Sequence, residues 1–313
     1  MILKNKYYTI ILGWTLLVAM SIPGCLPERK ESPTKGNIIV AVSESVMPVM
    51  KQEEQRFEEW YPDAHVDLIQ MTAREAVTRL FNDTIKVIVT SRPLNVEERE
   101  VAKRSKIDFQ EYKIAIDGIA IIVNGKNPTQ QLRTTQVDSI LRGIIVRWDV
   151  VGGSKSPIEI CLPNRNSGTF EVIGMKVLKG GNFATPVQVV ETSPGMLQFV
   201  SEHSNAIGMI SVNWLKDKNE SVKILELSDP NAPDSLGIRG KYFAPFQAHI
   251  YRNYYPITRE IYIYSKADMY SVGAGFISFV TSAPGQQIIL NNGLVPATMP
   301  IRLVELTNKG IPQ

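Results

Sequence analysis

The chain has 313 residues, 44% of them hydrophobic, and a formal net charge of +3 at pH 7. Without Lys4 and Lys6 of the N-terminal segment, 32 basic side chains stand against 31 acidic ones, a net charge of +1. Such a balance provides no general attraction for nucleic acid or for a membrane surface. Any binding of an anion must therefore be local, and the length is sufficient for two lobes of ordinary domain size.

Residues 1–24 have the pattern of an export signal peptide. Lysines precede an apolar stretch, residues 10–20, which is short for a membrane span and is followed by Pro23 and Gly24. Residues 21–25, Ser-Ile-Pro-Gly-Cys, resemble a bacterial lipoprotein box, which implies cleavage before Cys25 and a lipid such as palmitate on that cysteine. The alternative is an uncleaved transmembrane anchor. Either interpretation places the bulk of the chain outside the cytoplasm, in the periplasm or at the cell surface.

Residues 25–36 contain two prolines and several charges, and we predict that they form a lipidated, flexible tether. The chain has two cysteines. Acylation of Cys25 would leave Cys161 without an intrachain disulfide partner, so the fold must rest on its apolar core.

From residue 37 onward, strand-like and helix-like patterns alternate, which predicts a doubly wound α/β sheet. The predicted strands are residues 37–42, 66–70, 86–90, 114–123, 158–162, 187–190, 206–210, 222–226 and 254–264. The predicted helices are residues 47–60, 74–81, 96–105, 135–142, 168–178, 195–202, 274–280 and 285–290. Met50, Phe57 and Trp60 share one face of the first helix and are predicted to lie in the core.

The most informative stretch is residues 164–169, Asn-Arg-Asn-Ser-Gly-Thr, between a predicted strand and a predicted helix. The free N–H groups and the dipole of a helix N-terminus attract anions. Gly168 permits close approach of a ligand, Ser167 and Thr169 can donate hydroxyl hydrogen bonds, and Arg165 adds a charged fork. The alternative is an ordinary N-capped helix with a surface arginine.

Two other predicted strands end in hydroxyl side chains in the same way. Ser91 and Arg92 follow one of them, and Ser43 and Ser45 follow another. Ligands of open α/β sheets bind outside the carboxyl ends of the strands. We therefore expect one small oxyanion to receive donors from all three loops.

Catalysis is the less favoured alternative. A nucleophilic Ser167 would need a partnered base, and His65, His203 and His249 lie in no recognisable catalytic context. The histidines and cysteines also lack metal-ligand spacing, so we expect neither an enzyme nor a metal or other cofactor.

These motifs, in their order, resemble a phosphate-type substrate-binding protein of an ABC transporter, in the type 2 periplasmic binding protein class. The matching stretches are residues 91–94, 116–124, 140–143 with Trp148, Arg165 with 167–169, and residues 206–208, 255–259 and 284–287. The resemblance implies two hinged lobes that close on inorganic phosphate and deliver it to a membrane permease.

The resemblance also implies that the C-terminal part returns to the first lobe. We predict that residues 37–117 and 245–313 form lobe 1 and that residues 118–244 form lobe 2. Two alternatives remain for the function: binding of another, sulfate-like oxyanion, or a surface lipoprotein that presents its cleft to a sensor or partner without transport.

Several positions depart from the family's pattern. An aspartate that accepts the proton of hydrogen phosphate is usual where this chain has Arg92, so Asp117 and Glu44 become candidates for that role. Residues 71–74 lack the glycine-serine loop of the family, leaving Thr72 as the hydroxyl there. The spacing from Arg165 to Ser167 is shortened. Residues 255–259 are interpreted as structural.

Overall fold

The computed structural model describes residues 31–185, 187–215 and 220–298. The predicted signal peptide and residues 25–30 of the predicted tether, including Cys25, lie outside these residues. No helix within the described part combines the length and the apolar character needed to span a membrane.

Strands and helices alternate as predicted. The strands are β1 (Gly36–Ser43), β2 (Ala64–Met71), β3 (Val87–Thr90), β4 (Gln110–Asn124), β5 (Gln131–Arg133), β6 (Glu159–Pro163), β7 (Gln188–Val190), β8 (Ala206–Ser211), β9 (Val222–Ile224), β10 (Glu226–Ser228), β11 (Thr258–Ser265) and β12 (Val295–Pro296). The α-helices are α1 (Met47–Trp60), α2 (Ala73–Phe81), α3 (Val96–Arg104), α4 (Thr134–Leu141), α5 (Gly168–Lys176), α6 (Ser193–Glu202), α7 (Gln247–Tyr251), α8 (Val272–Thr281) and α9 (Ala283–Asn291).

One curled sheet runs through the described residues, with strand order β2-β1-β3-β11-β4-β8-β6-β7. β1 pairs in parallel with β2 and β3, and β6 pairs in parallel with β7 and β8. β4 connects these two groups: its residues 110–118 pair with β11 and its residues 119–123 pair with β8, both antiparallel. The carboxyl ends of β1 and β3 and those of β6 and β7 thus belong to two parallel groups joined by one long strand.

Each group contains a strand that is buried on both faces, β3 in one group and β8 in the other. Around β1 and β3, Val40 and Val42 pack in one apolar cluster and Ala41 in another, as the two-residue repeat of a strand requires. Around β8, the alternation in β4 sends Ile121 to one cluster and Ile122 to another. We call the clusters around β1–β3 the first half of the molecule and those around β6–β8 the second half.

The structure corrects three details of the sequence interpretation. Trp60 is 50% exposed, whereas Met50 and Phe57 are buried as predicted. The strand predicted over residues 254–264 begins only at Thr258, where pairing with Gly118 starts. The strand predicted over residues 222–226 is divided into β9 and β10, which pair with different strands.

The lobe boundaries at 117/118 and 244/245 stay a prediction. Tyr255 and Ile257 lie in the segment assigned to lobe 1, yet they pack in an apolar cluster of the second half. The long strand β4 is likewise shared, because Ala115 belongs to a first-half cluster and Ile119 to a second-half one.

Glu53 of α1 is fully buried, and neither of its carboxylate oxygens has a hydrogen-bond partner. Burial raises the pKa of Glu53 to about 9, so the folded protein holds a proton that the unfolded chain releases near pH 4.5. The stability due to this group is complete below the unfolded pKa and is lost as pH rises toward the folded one.

We therefore expect wild type to lose roughly 2 kcal/mol of unfolding free energy relative to Glu53→Gln between pH 4 and pH 6, at about 1.4 kcal/mol per pH unit above the unfolded pKa. Urea denaturation of both proteins, followed by tryptophan fluorescence, measures the difference, because other titrating groups cancel. Parallel pH profiles would contradict the assignment of a buried, protonated carboxyl.

Candidate anion-binding site

A pocket of about 210 Å³ lies where loops after β1, β2, β6 and β7 meet. It is smaller than the roughly 300–1,000 Å³ of sites for drug-sized molecules. Its lining comes from both halves of the molecule, with Ser43 and Thr72 on one side and Ser167 and Thr192 on the other. The volume suits a small ion rather than a large metabolite.

Three α-helices begin at this pocket, and each begins with a hydroxyl cap. The Thr72 hydroxyl accepts the Glu75 N–H at the start of α2. The Ser167 hydroxyl caps α5 and the Thr192 hydroxyl caps α6 in the same way, at 3.1 and 3.2 Å from the backbone nitrogens. Because the N-terminus of a helix carries partial positive charge and unpaired N–H groups, three of them at one pocket favour an anion.

Hydroxyl groups dominate the polar lining. Each capping hydroxyl accepts a bond from its own helix and still has a proton to donate. The lining residues with hydroxyls are Ser43, Ser45, Thr72, Ser167, Thr169, Thr192 and Ser193. An oxyanion can therefore be surrounded by neutral donors.

Two buried hydroxyls here have no hydrogen-bond partner among the described residues: that of Ser43, which lines the pocket, and that of Ser91, which does not. Ser91 lies directly beneath Gly168: a Cβ atom on Gly168 would come within 2.2 Å of the Ser91 Oγ. Glycine is thus required here by close packing between the end of β3 and the start of α5. An unpartnered buried hydroxyl costs free energy, which a bound oxyanion would remove.

Thr169 connects the pocket to a buried ion pair. Its hydroxyl accepts a 2.8 Å hydrogen bond from Arg259, whose guanidinium also contacts Asp117 Oδ2 at 2.7 and 2.8 Å. Arg259 and Asp117 are register partners on β11 and β4 and are almost completely buried. The Thr169 hydroxyl accepts from Arg259 and still has a proton to donate, and Thr169 lines the pocket.

Glu44 brings a carboxylate to the same place. Its two oxygens accept hydrogen bonds from the Ser193 backbone N–H at 2.7 Å and from the Ser193 hydroxyl at 3.0 Å. Burial raises the pKa of Glu44, while the bonds from Ser193 and the charge of Arg259 act in the opposite direction. This contact joins the loop after β1, in the first half, to the N-terminus of α6 in the second.

The charged lining is acidic. Glu75 and Glu191 line the pocket together with Glu44, and no lysine or arginine is among the described lining residues. Positive potential must therefore come from helix N-termini and from Arg259 behind Thr169. A ligand that only accepts hydrogen bonds would face three carboxylates, whereas a protonated oxyanion can donate to one of them.

Six of the predicted ligand contacts lie together in this pocket, and four do not line it. Those in the lining are Ser43, Ser45, Thr72, Ser167, Gly168 and Thr169. Ser91 contacts Gly168 from below. Asp117 is bound to Arg259, and Arg92 is bound to two glutamates. Arg165 is exposed and lies outside the lining. Direct ligand contact by any of these residues stays a prediction.

Sequence reasoning overlooked Thr192, Ser193 and Arg259. The first two follow β7 and precede Pro194 at the start of α6. That is a strand, a hydroxyl cap and a proline in the first helical turn, a helix-start signal that was available in the sequence. Arg259 was interpreted as structural, and only the fold brings it to Thr169.

The histidines and the metal-ligating residues do not gather at the pocket. His203 stacks on Phe199, and none of the three histidines is among the described lining residues. Nor do the described residues contain a group of three or more His, Cys, Asp or Glu side chains suited to a metal ion.

Comparison with known proteins agrees with this architecture. The profile of the PBP (periplasmic binding protein) superfamily domain matches residues 27–284. The chain belongs to this superfamily. A curated relative is the phosphate-binding protein PstS of Pseudomonas aeruginosa, which is 24% identical over 303 residues, covering 91% of this chain and 90% of the relative. Another is the phosphate-binding protein PstS of Staphylococcus aureus, 24% identical over 285 residues, covering 89% and 84%.

Solved structures of the superfamily share the fold. A phosphate ABC transporter substrate-binding protein from Clostridium perfringens, crystallised with bound phosphate, has a TM-score of 0.72 and 25% identity, covering 84% of this chain and all of the other. An ABC-type phosphate transport receptor from Vibrio cholerae has a TM-score of 0.63 and 23% identity, covering 83% of this chain and all of the other. The predicted α/β fold of the type 2 periplasmic binding protein class is confirmed.

Proposed function

We propose that this protein captures inorganic phosphate outside the cytoplasm and delivers the phosphate to an ABC importer. Lipid on Cys25 would anchor the protein to the membrane that contains the importer. The observation that carries the proposal is the convergence of three hydroxyl-capped helix N-termini on one small pocket. The superfamily relatives support it, since they are phosphate-binding proteins by name and one was crystallised with phosphate.

The donors available are sufficient for useful affinity. A hydrogen bond to a charged group contributes about 1.5–3 kcal/mol, and micromolar binding requires about 8 kcal/mol. Four or five of the lining donors would supply this. No chemical step is needed, and Ser167 is occupied as the cap of α5 rather than partnered with a base.

The carboxylates favour phosphate over sulfate. At neutral pH phosphate still carries at least one proton and can donate to Glu44, whereas sulfate has none. A protein that presents its cleft to a partner without transport would show no saturable binding of either ion.

The test is equilibrium dialysis of the full chain, purified in detergent, with radiolabelled phosphate and then sulfate at constant ionic strength. We expect phosphate to bind with a micromolar dissociation constant and sulfate at least 100-fold more weakly. Ser167→Ala should weaken phosphate binding, and Arg165→Ala decides whether the exposed arginine takes part. Absence of saturable phosphate binding would refute the proposal.

The same assay measures the effect of Glu44→Gln on the preference for phosphate over sulfate. The carboxamide keeps the shape of the side chain but loses a carboxylate acceptor, so the preference for phosphate over sulfate should fall about tenfold, equivalent to about 1.4 kcal/mol. Glu75→Gln is the matched control, because Glu75 also lines the pocket but is exposed and paired with Arg79. An unchanged preference in Glu44→Gln would exclude Glu44 as the group that reads the ligand's proton.

A further inference from the structure

Arg92 lies directly after β3, and its side chain is 2% exposed. Its guanidinium forms a two-pronged ion pair with Glu98 of α3, at 2.7 and 2.8 Å. Glu98 is itself fixed, because it forms a capping box with Asn95 at the start of α3. Arg92 is therefore held rigidly within the first half of the molecule.

The remaining side of the guanidinium faces α5. Nε of Arg92 lies 2.6 Å from Glu171 Oε2, and Glu171 is only 16% exposed. Arg74 of α2 approaches the other Glu171 oxygen at 3.5 Å. Two arginines and two glutamates thus balance in charge, so the Arg92 charge is compensated inside the protein.

The Arg92–Glu171 pair joins the two halves. Arg92 follows β3, whose residues pack in first-half clusters, while Val172 and Ile173, beside Glu171, pack in a second-half cluster. Glu171 lies on the first turn of α5, three residues after Gly168. The neighbouring residues Ser91 and Gly168 are in tight contact, and Gly168 lines the pocket. The ion pair and this contact therefore hold the same helix end against the same strand end.

We propose that Arg92 and Glu171 are positioning residues: their ion pair fixes the N-terminus of α5 against the end of β3, and so sets the geometry of the pocket without contacting the ligand. The ligand affected is the phosphate of the proposed function, on which this inference rests. Arg92 thereby acts through Glu171 and α5, in contrast to the direct contact predicted from the sequence.

The key variant is Glu171→Gln, which retains the volume of the side chain and removes its charge. The substitution removes the charged contact between the two halves, while Arg92 keeps its pair with Glu98. In the full chain, purified in detergent, we expect the dissociation constant for radiolabelled phosphate to rise at least tenfold. In the absence of phosphate, backbone amides at the start of α5 should exchange hydrogen at least tenfold faster in Glu171→Gln than in wild type.

The controls separate the loss of this ion pair from the loss of an ion pair elsewhere and from a change in side-chain length. Arg99 and Glu111 form a two-pronged pair that joins α3 to β4 and includes no residue of α5. Arg99→Met breaks this pair and should leave both readouts within twofold of wild type. Glu171→Asp keeps the charge and should retain more phosphate affinity than Glu171→Gln. In the double variant with Arg92→Met, the losses should be less than additive, as for residues in direct contact.

The outcomes are distinct. A phosphate affinity of Glu171→Gln within twofold of wild type overturns the inference, and so does an equal loss in Arg99→Met. If wild type itself binds no phosphate, the proposed function fails, and hydrogen exchange at α5 then decides whether the ion pair positions the helix. If Glu171→Gln does not fold, Glu171→Asp and Arg92→Lys replace it, with intermediate losses expected.

Discussion

Replacing Asp117 by asparagine is expected to lower the free energy of unfolding by about 3–5 kcal/mol, the range found when one member of a buried ion pair is removed. Arg259 would stay charged and buried with no carboxylate beside it, since both side chains are at most 2% exposed. Urea denaturation of the full chain at pH 7, followed by tryptophan fluorescence, measures the loss.

The control for this substitution is Asp149→Asn. Asp149 pairs with Arg147 at 3.0 Å on the surface, with both side chains at least one third exposed, and such pairs contribute about 0–1 kcal/mol. If Asp117→Asn destabilised the protein no more than this control, Arg259 would have to be stabilised by other groups.

Replacing Gly168 by alanine is expected to weaken phosphate binding by at least 100-fold, or about 2.7 kcal/mol. The added Cβ would lie 2.2 Å from the Ser91 Oγ, and we expect α5 to move away from β3 and to carry Ser167 and Thr169 with it. Equilibrium dialysis with radiolabelled phosphate measures the affinity, and circular dichroism shows that the protein remains folded.

Two variants test this explanation. Gly174→Ala lies on the same helix, but its Cβ would meet only Phe183 at 3.8 Å, so phosphate affinity should stay near that of wild type. Ser91→Gly removes the hydroxyl that obstructs the new methyl group. Combined with Gly168→Ala, it should restore part of the affinity. A double variant as weak as Gly168→Ala alone would show that the clash is not the cause.

Most of the fold was predictable because its apolar periodicities are local. α1 was predicted to the residue, since its apolar positions repeat at helical spacing and β1 ends just before it. The strand predicted over residues 254–264 was placed too early at its start, because aromatic and β-branched residues are frequent there, while the pairing partner on β4 begins only opposite Thr258. The five-residue helix α7 is too short to show periodicity.

The pocket was partly predictable for the same reason. Hydroxyls after a strand and before a helix are a local signal, and six of the predicted residues do line one pocket. The ion-pair partners of the charged residues were not predictable, because they come from distant parts of the chain. Arg92 meets Glu171 across 79 positions, and Asp117 meets Arg259 across 142. A single sequence gives no measure of such contacts, so the ion-pair partners of Arg92 and Asp117 were not predicted.

The long strand β4 has a consequence for how the protein unfolds. Its first nine residues complete the ladder of β11, and the next five complete that of β8. Melting either set of clusters removes a ladder partner from the other, so neither can survive for long alone. The molecule should lose its structure in a single cooperative transition, with no half-folded form exposing apolar surface to proteolysis.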